Sequence, residues 1–266
     1  MKRISILILI ASALVFGSCQ KVIDIDLNSS DPKLVIECLM IDSATSYTVK
    51  LTRTVDYFNG GTVPQVSGAQ VVISDDAGNT ETLTEAQPGV YVTATTQGIP
   101  GRTYSLSVTV DGKTYTAQSK MPNEVPIDTA YAEYIPPLFG GTGGYVVTGA
   151  VQDPANEANY YRQRLFFNGV QQDTAGTFFL ADDRLSNGQY LVFPLFPAFA
   201  ELGDSVEIEM YLYDKPAYDY FITLSELVQQ GGPTSASPGN PVTMISGGAM
   251  GYFVAAPVVR ASFVVQ

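Results

Sequence analysis

Residues 104–117 read YSLSVTVDGKTYTA, and this stretch decides the fold class. Over 104–110 every second residue is apolar and the residues between are serine or threonine, which is the period of a β-strand with one buried face. Asp111-Gly112 favours a tight two-residue turn, and residues 113–117 supply a returning strand. The stretch therefore predicts an antiparallel hairpin whose apolar face must pack against a second sheet.

The same pattern extends towards the N-terminus. Short strands separated by turn-forming residues at this spacing are typical of an immunoglobulin-like sandwich. We therefore expect an immunoglobulin-like β-sandwich over residues 19–120. The further strand signals lie at 47–51, 69–73, 80–83 and 89–92.

Beyond this region the chain favours a linker and a second domain. Residues 121–126 (MPNEVP) contain two prolines, which cannot donate to a β-ladder and favour extended chain. Over residues 127–266 we expect a mainly-β domain with one helix near 216–229, capped by Asp214. The predicted apolar stripe of that helix is Phe221, Leu224 and Val228.

The N-terminus has the pattern of a bacterial export signal. Lys2 and Arg3 precede an apolar run at 4–16 that is too short to span a bilayer. Small residues then precede Cys19, the arrangement in which a lipoprotein is lipidated on the cysteine sulfur before cleavage. We expect residues 1–18 to be a lipoprotein signal peptide and Cys19 to carry the lipid; the alternative is an ordinary secretory signal with an incidental cysteine.

Composition argues against several classes of function. The chain contains no histidine and no tryptophan, and its net charge is −12. Without histidine the commonest general base and the usual zinc ligand are missing, so we expect no enzymatic activity, no cofactor and no metal. Negative charge repels nucleic acid, and no nucleic-acid motif occurs. Cys38 lies on the apolar face of an alternating strand and is expected to be buried and unreactive.

Several segments resemble, in their order and spacing, a family known as domain of unknown function 4249, which consists of Bacteroidetes lipoproteins. The resemblance implies an outer-membrane lipoprotein, facing either the periplasm or the cell surface, with a TonB-dependent transporter as its partner. It implies no catalytic residues. The segments are 19–26, 32–37, 66–71, 98–106, Met121-Pro122 with 126–128, Asp153-Pro154, 159–162 and 245–253.

One strand carries two candidate partner-contact residues. Arg162 and Arg164 share a strand face with Tyr160 and Phe166, and guanidinium groups bind carboxylates in a bidentate manner. This face could contact a carboxylate or a protein partner. The alternative is an exposed face on which arginine stems cover aromatic rings.

A glycine-rich segment is the second candidate. Gly247, Gly248 and Gly251 permit close backbone approach, and Tyr252-Phe253 stand beside them. The segment is either a partner-contact loop or a tight loop that packs the final strand against the helix.

Two acidic turns raise the question of calcium. Asp75-Asp76 with Asn79, and Asp182-Asp183 with Asn187, offer clustered oxygen ligands. Hairpin turns select the same residues, so the turn interpretation is favoured. Adjacent carboxylates on one strand are also poorly placed for glycoside hydrolysis.

These observations predict a non-enzymatic cell-envelope lipoprotein, and the family resemblance implies that it is an accessory subunit of a TonB-dependent outer-membrane transporter in nutrient uptake. The alternative is a structural or adhesive surface module in which the sandwiches act as spacers. The sequence identifies no ligand.

Overall fold

The computed structural model describes residues 31–55, 61–137, 143–172, 178–229 and 240–266. The chain divides into an N-terminal unit, Met1–Asp31, and a compact body, Pro32–Gln266. The predicted signal peptide and Cys19 lie outside the described residues. Every described helix and strand belongs to the body.

The body is mainly β, which confirms the predicted fold class. One α-helix, α1 (Lys215–Gln229), and a short 3-10 turn at Ser246–Gly248 interrupt the strands of the described residues. The strands are β1 (Leu34–Ile41), β2 (Thr48–Arg53), β3 (Gln70–Asp75), β4 (Thr80–Thr82), β5 (Thr84–Gln87), β6 (Val90–Val92), β7 (Thr103–Val110), β8 (Lys113–Lys120), β9 (Thr129–Ile135), β10 (Gly144–Gln152), β11 (Tyr160–Phe167), β12 (Val170–Gln171), β13 (Phe179–Asp182), β14 (Tyr190–Ala200), β15 (Ser205–Tyr213), β16 (Met250–Ala256) and β17 (Val258–Val264).

Two sheets enclose a first core. Sheet A has the strand order β16-β1-β2-β6-β5, and sheet B has the order β4-β3-β7-β8. The hairpin predicted from 104–117 is β7 and β8, with positive φ values of 52° at Asp111 and 72° at Gly112 in its turn. Leu106 and Val108 point into one apolar cluster that both sheets share. The two sheets therefore form a sandwich.

Strand β16 joins this first sandwich although it comes from the C-terminal part of the chain. It pairs in parallel with β1, from Val35↔Met250 to Ile41↔Ala256. Its last four residues are buried on both faces, as parallel strands usually are. The predicted boundary at 121–126 has no regular secondary structure. Strand β16 follows this boundary in the chain, but it belongs to sheet A, whose other four strands precede the boundary.

Two further sheets enclose a second core. Sheet C has the order β14-β10-β9, and sheet D has the order β12-β11-β15-β17 with β13 also paired to β11. Val147 of β10, Leu165 of β11 and Ile208 of β15 meet in one buried cluster. The inner faces of sheets C and D thus pack together, which leaves one face of each sheet outside this core.

Helix α1 covers part of the outer face of sheet D. The Asp214 Oδ1 atom accepts a hydrogen bond from the Ala217 backbone N–H at 3.0 Å, which confirms the predicted N-cap. The buried residues of the helix are Ala217, Tyr220, Phe221 and Ser225, and Leu224 packs against the same apolar cluster, whereas Val228 is exposed. The predicted stripe is therefore correct at Phe221 and Leu224 and wrong at Val228, because the buried side of the helix ends at Ser225.

Glu81 of β4 ties a loop to the first sandwich. Its carboxylate accepts hydrogen bonds from the backbone N–H groups of Ala94, Thr95 and Thr96 at 2.5, 3.1 and 2.6 Å. Burial alone would raise the pKa of Glu81, but the hydrogen bonds from Thr96, Ala94 and Thr95 outweigh it and lower the pKa from 4.5 to about 2. The ionised carboxylate is therefore the form that stabilises the fold.

We expect Glu81→Gln to flatten the acid dependence of stability. A lowered folded-state pKa gives stability that is present above pH 4.5 and is lost as the pH falls towards 2. The free energy of unfolding, measured in urea between pH 7 and pH 2, should fall less steeply below pH 4.5 in the variant than in the unsubstituted chain. Parallel pH profiles for the two proteins would contradict this role of Glu81.

Candidate interaction site

The outer face of sheet D carries the two predicted arginines. Along β11 the side chains alternate, with Tyr161 and Gln163 buried and Arg162 and Arg164 half-buried on the opposite side. This places both arginines on one face with Tyr160 and Phe166, as predicted. The neighbours of the two arginines decide what that face can do.

Arg162 lies among aromatic rings. Its guanidinium carbon is 4.6 Å from the ring centroid of Phe221 on α1 and 5.0 Å from that of Phe178. Its Nη1 atom donates a hydrogen bond to the Tyr213 hydroxyl at 3.0 Å. Cation–π contacts and a hydrogen bond therefore fix Arg162 beneath the helix.

Arg164 belongs to an ionic network that crosses sheet D. It donates to Glu209 Oε2 and to the Tyr211 hydroxyl, each at 3.3 Å. On β17, which pairs with the strand of Glu209, Arg260 donates to Glu209 Oε1 from Nε at 3.0 Å and from Nη2 at 2.8 Å. The Tyr211 hydroxyl also donates to Glu209 at 2.7 Å, so both oxygens of this carboxylate are occupied. Burial and the bond to Glu209 raise the pKa of Tyr211 to about 12.

The structure brings the two predicted segments together at Phe221. The ring of Tyr252, on β16, lies 5.3 Å from the ring of Phe221, which also contacts Arg162. The aromatic contacts and the ionic network thus connect the two sandwiches and the helix, and we call this group of side chains the junction cluster. It consists of Arg162, Arg164, Glu209, Tyr211, Tyr213, Phe221, Tyr252 and Arg260.

The glycine-rich segment packs closely against the first sandwich. Lys113 Nζ donates a hydrogen bond to the Gly247 carbonyl at 2.6 Å. At Gly248, in contrast, a β-carbon would have no heavy atom of the described residues within 4 Å, apart from its chain neighbours. Gly251 touches the backbone of β1, and Phe253 is fully buried in the first core. These contacts fit the packing alternative, and a partner contact by these residues stays a prediction.

Sheet C presents an exposed apolar face that the sequence pattern did not single out. Its three strands contain one charged residue, Glu133, in a chain in which 15% of residues are charged. The deficit of charge over these strands is the signal that could have found the face. Glu133 is exposed on the same side of β9 as Tyr131. We call this surface the sheet C face, and its exposed apolar side chains are Tyr131, Ile135, Tyr190, Val192, Pro194 and Phe196.

The acidic turns are closed by hydrogen bonds of their own. Asp75 accepts bonds from the Asn79 side chain at 2.8 Å and from Arg102 at 2.6 Å, and Asp183 accepts one from the Asn159 N–H at 2.9 Å. Within the described ranges, no group of three or more acidic or cysteine side chains is placed to hold a metal ion. Cys38 is buried, and burial raises the pKa of its thiol to about 12, which confirms the predicted environment.

None of the helices that the structure describes is long and apolar enough to cross a membrane. A family model described as "Domain of unknown function (DUF4249)" matches residues 20–262. The chain belongs to this family. Comparison with curated proteins gave no match.

The DUF4249 match covers both surfaces described above. It includes all three strands of sheet C and every residue of the junction cluster. Cys19, the predicted lipidation site, immediately precedes the matched region. In the DUF4249 body the charged groups of the junction cluster are held by one another or, for Arg162, by aromatic side chains, whereas the sheet C face is open to solvent.

Proposed function

We propose that this chain is a non-enzymatic, lipid-anchored envelope protein that docks on a TonB-dependent outer-membrane transporter and assists nutrient uptake. The observation that carries the proposal is the sheet C face. Large exposed apolar patches on a soluble body usually mark interaction sites.

The chemistry of the sheet C face supports a protein partner with an apolar surface. Val192 is 52% exposed and Phe196 is 60% exposed, and aromatic enrichment with depletion of charge is the composition of an interface core. The chain as a whole is acidic, with a net charge of −12, whereas Glu133 is the one charged residue of the three strands of sheet C. A face of so little charge on an acidic body favours one defined docking orientation.

The N-terminal sequence supports the choice of partner. A lipid on Cys19 would hold the body close to the membrane, which raises its effective concentration near a membrane-embedded partner. The resemblance that links such lipoproteins to TonB-dependent transporters points to the same class of partner. The proposal covers both the periplasmic and the surface-exposed orientation.

Co-purification from native membranes tests the proposal. The full chain with a C-terminal tag is extracted in mild detergent, and its partners are identified by mass spectrometry. We expect one TonB-dependent transporter to be recovered in an amount comparable to the lipoprotein. Recovery of the lipoprotein alone from an intact membrane preparation would contradict the proposal and favour the spacer or adhesion role.

We expect Val192→Glu to weaken the association strongly. A charge in an apolar interface has no partner and costs several kilocalories per mole, so transporter recovery should fall about tenfold or more. Val264→Glu on β17 is the matched control, because Val264 is also 52% exposed but lies on sheet D. Equal transporter recovery with the two variants would contradict docking through the sheet C face.

A further inference from the structure

A cavity of about 320 Å³ lies where β1 and β2 of sheet A meet β15 and β16. It is on the outer side of sheet A, away from the first core. Cavities at such junctions are preferred places for small ligands, and this volume is at the lower end of the usual range. The side chains that give it its chemistry are Glu37, Lys50, Tyr211 and Tyr252.

Three of these side chains form a row across sheet A. Glu37 on β1 is the register partner of Lys50 on β2 and of Tyr252 on β16. Neighbouring strands are about 4.8 Å apart, so the row places an acid between a base and an aromatic ring. Ile36 and Cys38 on either side of Glu37 are buried in the core, which directs Glu37 outwards to the cavity.

The opposite charges in this row do not form an ion pair. None of the ion pairs within 4.0 Å in the described part of the chain joins Glu37 to Lys50. Opposite charges at directly opposed cross-strand positions can stabilise a sheet by pairing. Here neither the Glu37 carboxylate nor the Lys50 ammonium has an ion-pair partner among the described residues.

The aromatic walls are fixed before any ligand arrives. The hydroxyl of Tyr211 is held by Glu209 at 2.7 Å and by Arg164 at 3.3 Å, and Tyr252 packs on Phe221. Burial, followed by the negative charge of Glu37, raises the pKa of Tyr252 above its ordinary value, which is consistent with a carboxylate close to that ring. Fixed rings beside a carboxylate attract an organic cation at low entropic cost.

We propose that this cavity binds a small zwitterion that carries an ammonium group and a carboxylate. The ammonium lies between Glu37 and the ring of Tyr252, and the carboxylate faces Lys50. The hydroxyl of Thr48, which is two residues from Lys50 on the same strand face, lines the same end of the cavity. The proposal goes beyond transporter docking and does not depend on it, because the cavity is on sheet A and the docking face is on sheet C.

Isothermal titration calorimetry with the full chain in a non-ionic detergent tests the proposal. The probe is glycine betaine at pH 7, with choline as the cation without a carboxylate and acetate as the anion without an ammonium. We expect betaine to bind about tenfold or more tightly than either partial analogue, since each lacks one charge contact. No heat of binding with betaine, or equal affinity for betaine and choline, would overturn the proposal.

Two variants test whether Glu37 binds the ammonium group of the ligand and Lys50 binds its carboxylate. Glu37→Gln should weaken betaine binding about tenfold and abolish choline binding, and Lys50→Met should make the affinities for betaine and choline equal. Glu133→Gln, at an exposed position on β9, is the control for a change in overall charge and should bind betaine like the unsubstituted chain. Unchanged betaine affinity in Glu37→Gln or in Lys50→Met would overturn the assignment, whatever the outcome of the transporter co-purification.

Discussion

Replacing Gly251 by alanine is expected to destabilise the body by about 3 kcal/mol or more. Gly251 has a φ of 103°, a region that costs an L-residue about 1–2 kcal/mol. A β-carbon there would overlap the carbonyl oxygen of Ile36 and lie 2.9 Å from its carbonyl carbon, and overpacking adds about 1–3 kcal/mol. Because the clash is with backbone, β1 and β16 must separate to relieve it.

Gly248→Ala is the matched control for this substitution. Gly248 also has a positive φ, 83°, but apart from its chain neighbours no heavy atom of the described residues lies within 4 Å of the position that the new methyl group would take. Only the backbone cost of about 1–2 kcal/mol therefore applies. Urea unfolding followed by circular dichroism gives the free energy of unfolding for both variants. Equal losses would show that the parallel contact between β1 and β16 is not what Gly251 protects.

Glu209→Gln is expected to cost about 3 kcal/mol. Glu209 is 9% exposed and joins Arg164, Arg260 and Tyr211 across sheet D. Removing one member of a buried charge network leaves the others without compensation, at a cost of about 3–5 kcal/mol; the lower end applies because Arg260 is partly exposed. For a body of this size the midpoint of thermal unfolding should fall by about 6–12 °C.

Glu207→Gln controls for the loss of an acid on the same strand. The Glu207 carboxylate is 43% exposed and 3.7 Å from Arg260, so its loss should change stability by about 0.5 kcal/mol or less. Comparable thermal shifts for the two variants would contradict the view that the network around Glu209 joins the strands of sheet D.

Secondary structure is predicted best where one face of a strand is buried and the other is exposed to solvent. The alternation of 104–110 and the Asp111-Gly112 turn identified β7 and β8, and the Asp214 cap located the start of α1. In each case the signal is local, because the strand alternation, the turn and the helix cap each depend on residues that are close together in the sequence.

Strands β9 and β14 were harder to predict for a physical reason. Along β9 the residues that face the core are Ala130 and Ala132, and the outward ones include Tyr131. The larger apolar side chain therefore faces solvent, which is the reverse of the alternation that predicts a strand with one buried face. Pro194 within β14 argues against a strand, but β14 is at the edge of sheet C, where proline is tolerated. The inverted pattern in β9 is itself part of the exposed sheet C face.

The sites were predicted only in part, since they depend on contacts distant in sequence. Local patterns predict Arg162 and Tyr252 separately as contact residues, but nothing near them in sequence indicates that both contact Phe221. The row of Lys50, Glu37 and Tyr252 likewise requires the parallel pairing of β1 with β16. Topology, rather than composition, creates these sites.

Photo-crosslinking from position 192 tests docking through the sheet C face in the native membrane. A photoreactive amino acid replaces Val192 in the full chain in native membranes, and the same residue at position 264 serves as the equally exposed control. We predict that position 192 forms a crosslink to a TonB-dependent transporter and that position 264 does not. Crosslinks to the transporter from neither position, or from both equally, would contradict docking through the sheet C face.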